Sequence, residues 1–166
     1  MINRMFHTAI RTADPIRMRN FYTRLLDMVV DRRRPDSDVD VAGFWLRPGL
    51  PGGEAIIHVF AGEDAKTPDG RIPTGGAAVH HLSFLASGFH GTLRRIQEAG
   101  LNWRGNLLPS IGLWQIFVHD PNGILLELTF EAAVEDGPPP ELTAAQRFDA
   151  QRLDWFDAGQ YGQFAG

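Results

Sequence analysis

The stretch "VHHLSFLA", residues 79–86, decides the fold because it restarts a pattern already seen at "RMFHTAIRT", residues 4–12. Both alternate and carry β-forming residues, which predicts strands. After the first comes "ADPIRMRNFYTRLLDM" (13–28), with Asp14 as N-cap, Pro15 in the first turn, and Met18, Phe21, Tyr22, Leu25 and Leu26 at helical spacing. After the second comes "GFHGTLRRIQEAG" (88–100), with Phe89, Leu93 and Ile96 on one face and Gly100 as its stop. Each helix leads into three short strands. In the first half these are "MVVDRR", "VAGFWLR" and "EAIIHVFA"; in the second, "LNWRGN", "LWQIFVHD" and "ILLELTFE". The turn "DPNG" (120–123) joins the last two as a hairpin.

The order strand, helix, three strands therefore occurs twice, an internal repeat. Residues 62–76 connect the halves. His7 near the start of the first half corresponds to His81, 74 positions on, and His58 corresponds to Glu127, 69 positions on. After Glu131, "VEDGPPPE" reads as a linker, and a helix is predicted from near Thr143, followed by a tail. Phe148, Trp155 and Phe156 in this extension need a surface, either the domain or a second chain.

Composition narrows the function. The chain has 166 residues, 43% hydrophobic and 22% charged, which suits one globular domain. A net charge of −4 argues against a nucleic-acid partner. The basic run "DRRRPD" (31–36) is bracketed by acids and reads as a solvated turn. No apolar stretch is long enough to span a bilayer, and no charged-then-apolar leader opens the sequence, so a cytoplasmic protein is expected. Cysteine is absent, so any metal must be held by His, Asp or Glu.

Period-two alternation assigns the polar residues to faces. Leu82 and Phe84, with Ile124, Leu126, Leu128 and Phe130, form the apolar faces that the helices cover, and His80 shares their side. His81 lies opposite, with Ser83, and Glu127 lies opposite with Thr129. His7 sits with Ala9 and Arg11. Parity leaves His58 open, and the repeat places it where Glu127 stands in the second half. Alone, Glu127 reads as one end of a salt bridge, for example to Arg11, or as part of an edge strand with one wet face. Alone, each histidine reads as structural. Three imidazoles and one carboxylate at repeat-related places point together to a divalent metal, since two His and one carboxylate form the facial triad of non-haem iron oxygenases. His90 and His119 read as surface residues. Phe44, Trp45, Trp103, Trp114 and Phe117 are aromatic candidates for a substrate pocket, although strand aromatics are usually core.

The stretches "FHTAIRTADPIRMRNFYTRLLDM", "AIIHVFA", "HHLSFLA" and "IFVHDPNGILLELTF" resemble the vicinal oxygen chelate superfamily, which includes glyoxalase I, extradiol dioxygenases, methylmalonyl-CoA epimerase and bleomycin- or fosfomycin-resistance proteins. The resemblance implies an α+β fold of paired βαβββ modules, whose curved mixed sheets form a cup around one metal. The domain would cover 1–132, with half-modules at about 1–62 and 77–132, and 133–166 would hold the linker, C-terminal helix and tail. His7, His81 and Glu127 would be metal ligands. His81 is preferred to His80 because "HLSF" fits the family phrase. His58 would be a fourth ligand, as in glyoxalase-like members, or the acid/base of an extradiol dioxygenase. Fe(II) is the favoured cofactor, with Mn, Zn, Ni or Co as alternatives. The expected activity is extradiol-type cleavage of an aromatic or vicinal-oxygen small molecule. The alternatives are a glyoxalase- or epimerase-like lyase or isomerase and, in a different class, a metal-free antibiotic-binding protein. Trp114, Gln115 and Phe117 would line the substrate pocket, and Phe117 stands where extradiol enzymes commonly carry a tyrosine. A homodimer without nucleic acid or membrane partners is expected.

Overall fold

The computed structural model describes residues 1–33 and 42–166, so the last three residues of the basic run "DRRRPD" lie outside the described residues. Two compact units are present: Met1–Thr74 with Phe164–Gly166, and Gly75–Gln163. The first contains β1 (Thr8–Arg11), α1 (Pro15–Asn20), β2 (Val29–Val30), β3 (Gly43–Arg47) and β4 (Ile57–Phe60). The second contains β5 (Leu82–Ala86), α2 (Phe89–Glu98), β6 (Trp103–Leu108), β7 (Leu113–His119) and β8 (Leu125–Glu131). The sheet orders are β1-β4-β3-β2 and β5-β8-β7-β6. In each sheet the first pair is parallel and the other pairs are antiparallel. Two four-stranded mixed sheets with few helices give the expected α+β class.

Register makes the repeat exact to the residue. Ala9 lies opposite His58, and Ser83 lies opposite Glu127, so His58 and Glu127 hold equivalent places. Trp45 beside His58 is likewise equivalent to Phe117 beside Glu127.

Local chemistry explains the helices. Asp14 accepts a hydrogen bond from the Arg17 amide at 2.9 Å, and Pro15 opens α1. The chain continues into a π-helical turn, Phe21–Leu25, which buries Phe21, Tyr22 and Leu25. At the start of α2 the Gly88 side offers no cap, and Glu135 from the linker accepts from the Gly88 and Phe89 amides at 2.9 and 2.6 Å. Phe89 packs edge-on against Trp114 and Phe130, so α2 covers the apolar face of the second sheet. Asp120–Gly123 forms the expected hairpin turn, with Gly123 at φ +81°.

Two expectations change. The strands begin later than read, so His7 and His80–His81 lie just before β1 and β5; Thr8 is the first β1 residue with a partner, Ile57. The helix predicted from Thr143 is replaced by short 3₁₀ turns at Ala144–Gln146 and Ala158–Phe164. Thr143 and Gln146 do form a capping box. Beyond them the backbone is drawn to β6: Arg147 bridges Gly105, and the Phe148 amide donates to the Gly105 carbonyl at 2.9 Å. That bond takes an amide that a helix would need. Among the described residues, no helix is long and apolar enough to cross a membrane.

Candidate functional site

In the second unit, one sheet face carries the polar residues. Across the strands Arg104 lies opposite Phe117, Phe117 opposite Glu127, and Glu127 opposite Ser83. Glu127 Oε1 accepts from Ser83 Oγ at 2.7 Å and from Thr129 Oγ1 at 3.0 Å. Gln115 Nε2 reaches Thr129 Oγ1 at 3.5 Å, and Asn106 Nδ2 donates to Gln115 Oε1 at 3.2 Å. One carboxylate oxygen is thus occupied by two hydroxyls. The other, Oε2, faces His81 Nε2 at 3.5 Å, long for a hydrogen bond. His80 Nδ1 lies 2.8 Å from His81 Nδ1, and His80 Nε2 lies 3.2 Å from the Ala150 carbonyl.

The C-terminal segment packs on this same face. Phe148 stacks on Phe117 with ring centres 3.5 Å apart, and Trp155 joins Phe117 and Leu125 in a buried cluster. A cavity of about 480 Å³ lies here, lined by Arg104, Arg147, Phe148, Arg152, Asp154 and Trp155, among others. The Arg104 guanidinium sits 4.9 Å from the centre of a Trp155 ring.

Of the three residues expected in the pocket, Gln115 and Phe117 are on the polar face. Trp114 is not. It shares the opposite face with Ile116 and Val118 and packs against Phe89 of α2. Alternation could have shown this, because residues 114 and 117 cannot share a strand face. His119 is not a surface residue either. It is only 4% exposed, because Trp155 and Phe156 cover its ring at 4.2 and 5.3 Å. His90 is half-buried, with Nε2 3.1 Å from the Pro138 carbonyl. Ser83 and Thr129 were missed as functional residues, although each stands two positions from His81 or Glu127 and so shares its face.

In the first unit, His58 is buried and shares a face with Ala9 and Trp45. Its ring stacks on Trp45 at 3.9 Å and meets Phe60 at 4.1 Å. His7 lies edge-on to Trp45 at 4.7 Å and to His58 at 6.2 Å between ring centres. His7 Nδ1 is buried without a hydrogen-bond partner. Among the described residues, no three of His, Cys, Asp or Glu gather into a group that could hold a metal ion. The first unit instead presents a single unpartnered nitrogen on His7, and the second the facing pair His81 and Glu127. The kinds of donor fit a divalent ion: an orphaned imidazole nitrogen in one unit, and an imidazole nitrogen facing an open carboxylate oxygen in the other.

The sequence matches the Glyoxalase/Bleomycin resistance protein/Dioxygenase superfamily over residues 4–128. The chain belongs to this superfamily. No curated protein matches it. Solved superfamily-like structures include a glyoxalase family protein from Bacillus anthracis, 17% identical, with a TM-score of 0.57, covering 79% of this chain and 97% of that one. A lactoylglutathione lyase from Agrobacterium tumefaciens is 14% identical, with a TM-score of 0.53, covering 80% and 97%. TnmS3, an antibiotic-binding protein from Streptomyces sp. CB03234, is 19% identical, with a TM-score of 0.52, covering 78% and 97%. At these identities the likenesses establish the superfamily fold. The superfamily match ends at residue 128, before the segment that covers Phe117.

Proposed function

We propose that the chain is a divalent-metal-dependent enzyme acting on a small molecule with two vicinal oxygens, of the extradiol dioxygenase type. The observation that carries this reading is the Glu127 carboxylate. Two hydroxyls hold one oxygen, and the other is turned to a histidine nitrogen at a distance that leaves the carboxylate's charge unspent. His7, His81 and Glu127 would hold the cation, with Fe(II) favoured over Mn, Zn, Ni or Co. A bound divalent cation would draw in both substrate oxygens and polarise them. Ser83 and Thr129 keep Glu127 aimed, and Asn106 and Gln115 orient Thr129 in turn. His58, held against Trp45 and Phe60, would give and take the substrate proton, a task imidazole suits near neutral pH. Arg104 offers a guanidinium to an anionic group on a substrate in the adjoining cavity. A homodimer is part of the same proposal, and sedimentation checks it.

A second reading is favoured by Phe117. It carries no hydroxyl and is stacked under Phe148, which suits a glyoxalase- or epimerase-like lyase or isomerase with His58 as a fourth ligand. Metal analysis with oxygen uptake separates the two. Bound iron with oxygen consumption on catechols supports the first. Zinc or nickel without oxygen use moves the assignment to the second. Absence of stoichiometric metal after reconstitution would sink both and leave an antibiotic-binding module. In the dioxygenase, His58→Ala keeps the metal and loses turnover; in the lyase, it weakens metal binding.

A further inference from the structure

We propose that the C-terminal segment sets the imidazole tautomer of His81, acting through His80 as a positioning residue. The argument begins at the Ala150 carbonyl, which can only accept. It lies 3.2 Å from His80 Nε2, so that nitrogen carries a proton. A neutral imidazole has one N–H, so His80 Nδ1 presents a lone pair. His81 Nδ1 is 2.8 Å away and must donate to it. The single proton of neutral His81 is then spent on Nδ1, and Nε2 presents its lone pair toward Glu127 Oε2. Two lone pairs facing at 3.5 Å repel each other unless a cation lies with them. Without the relay, His81 could carry its proton on Nε2 and donate it to Glu127, which would block the donor atom.

The consequence for metal affinity rests on the function proposed above, but the tautomer does not. Its source is a segment outside the superfamily match: Phe148 stacked on Phe117 and bonded through its amide to Gly105 places Ala150 two residues further on. His80, which alternation assigned to the helix-facing side, thereby gains a task from its position just before β5. Partners of this kind behind a ligating histidine typically change metal affinity by roughly 10- to 100-fold.

The test uses the full chain with ¹⁵N-labelled histidine, at about pH 8.5, some two units above the ordinary imidazole range. Two-bond ¹H–¹⁵N spectra report which ring nitrogen is protonated, and His81→Gln assigns the His81 signals. The wild type is expected to show His81 as the Nδ1–H form. His80→Phe should convert it to Nε2–H or to a mixture and weaken cobalt(II) binding roughly 10- to 100-fold. His80→Gln, whose amide can donate to Ala150 and accept from His81, should preserve the wild-type form. An Nε2–H form in the wild type overturns the proposal, as does an unchanged His81 in His80→Phe. The expected tautomers in a wild type that binds no cobalt would uphold the relay while defeating the metal-dependent function.

Discussion

At the scale of single residues, burial acts directly on the His119 imidazole. His119 is held down to about 4, first by burial and then by the Arg104 charge. Its ordinary value is 6.5, so between those pH values the unfolded chain binds more protons than the native one. Stability supplied by His119 is therefore complete above about pH 6.5 and is lost as pH falls toward 4, to a total of about 3 kcal/mol. Urea unfolding across this range should show that loss, and His119→Gln should flatten it. A surface His119 would give no such slope. This residue also marks a limit of the sequence. Its cover comes from Trp155 and Phe156, some 36 residues on, and nothing local to "VHDPNG" announces them. The shared side of His81 and Ser83, and the oddity of Glu127 in an apolar strand, were legible because alternation and the repeat act locally; that the Ser83 hydroxyl holds Glu127 was not, since it depends on cross-strand register.

At the scale of elements, the strands depend on close approach as much as on pattern. A Cβ built on Gly43 would lie 1.8 Å from the Val59 carbonyl oxygen, in the strand that carries His58. That contact is with backbone and has no cheap relief. Gly43→Ala should cost about 3 kcal/mol or more, measured by the urea midpoint, with β4 and its histidine disturbed. The element order was readable throughout, because helical spacing and period two are strong signals in these stretches. The extension was not. Its capping box at Thr143 and Gln146 is genuine, yet the strand edge at Gly105 competes for the Phe148 amide and wins. Propensity has no knowledge of a partner some 40 residues away.

At the scale of the molecule, the two units repeat each other in strand order and register. If His7, His81 and Glu127 serve one ion, His7→Ala in the first unit and His81→Ala in the second should each weaken cobalt affinity, by at least roughly 10-fold. An unchanged affinity in His7→Ala would confine the ion to the second unit. A cation at 100 times its dissociation constant should also raise unfolding stability by about 2.7 kcal/mol, reversed by a chelator.

The pairing of Arg147 with Gly105, closed by the Phe148 amide's bond to the Gly105 carbonyl, has a colloidal consequence. β6 is the outer strand of its sheet, and an uncovered outer strand recruits strands from other molecules. The C-terminal segment acts as a gatekeeper there and also shields Phe117 and Leu125 from water. A chain stopped after Glu141 should scatter light and sediment as aggregates at concentrations where the intact chain stays dispersed.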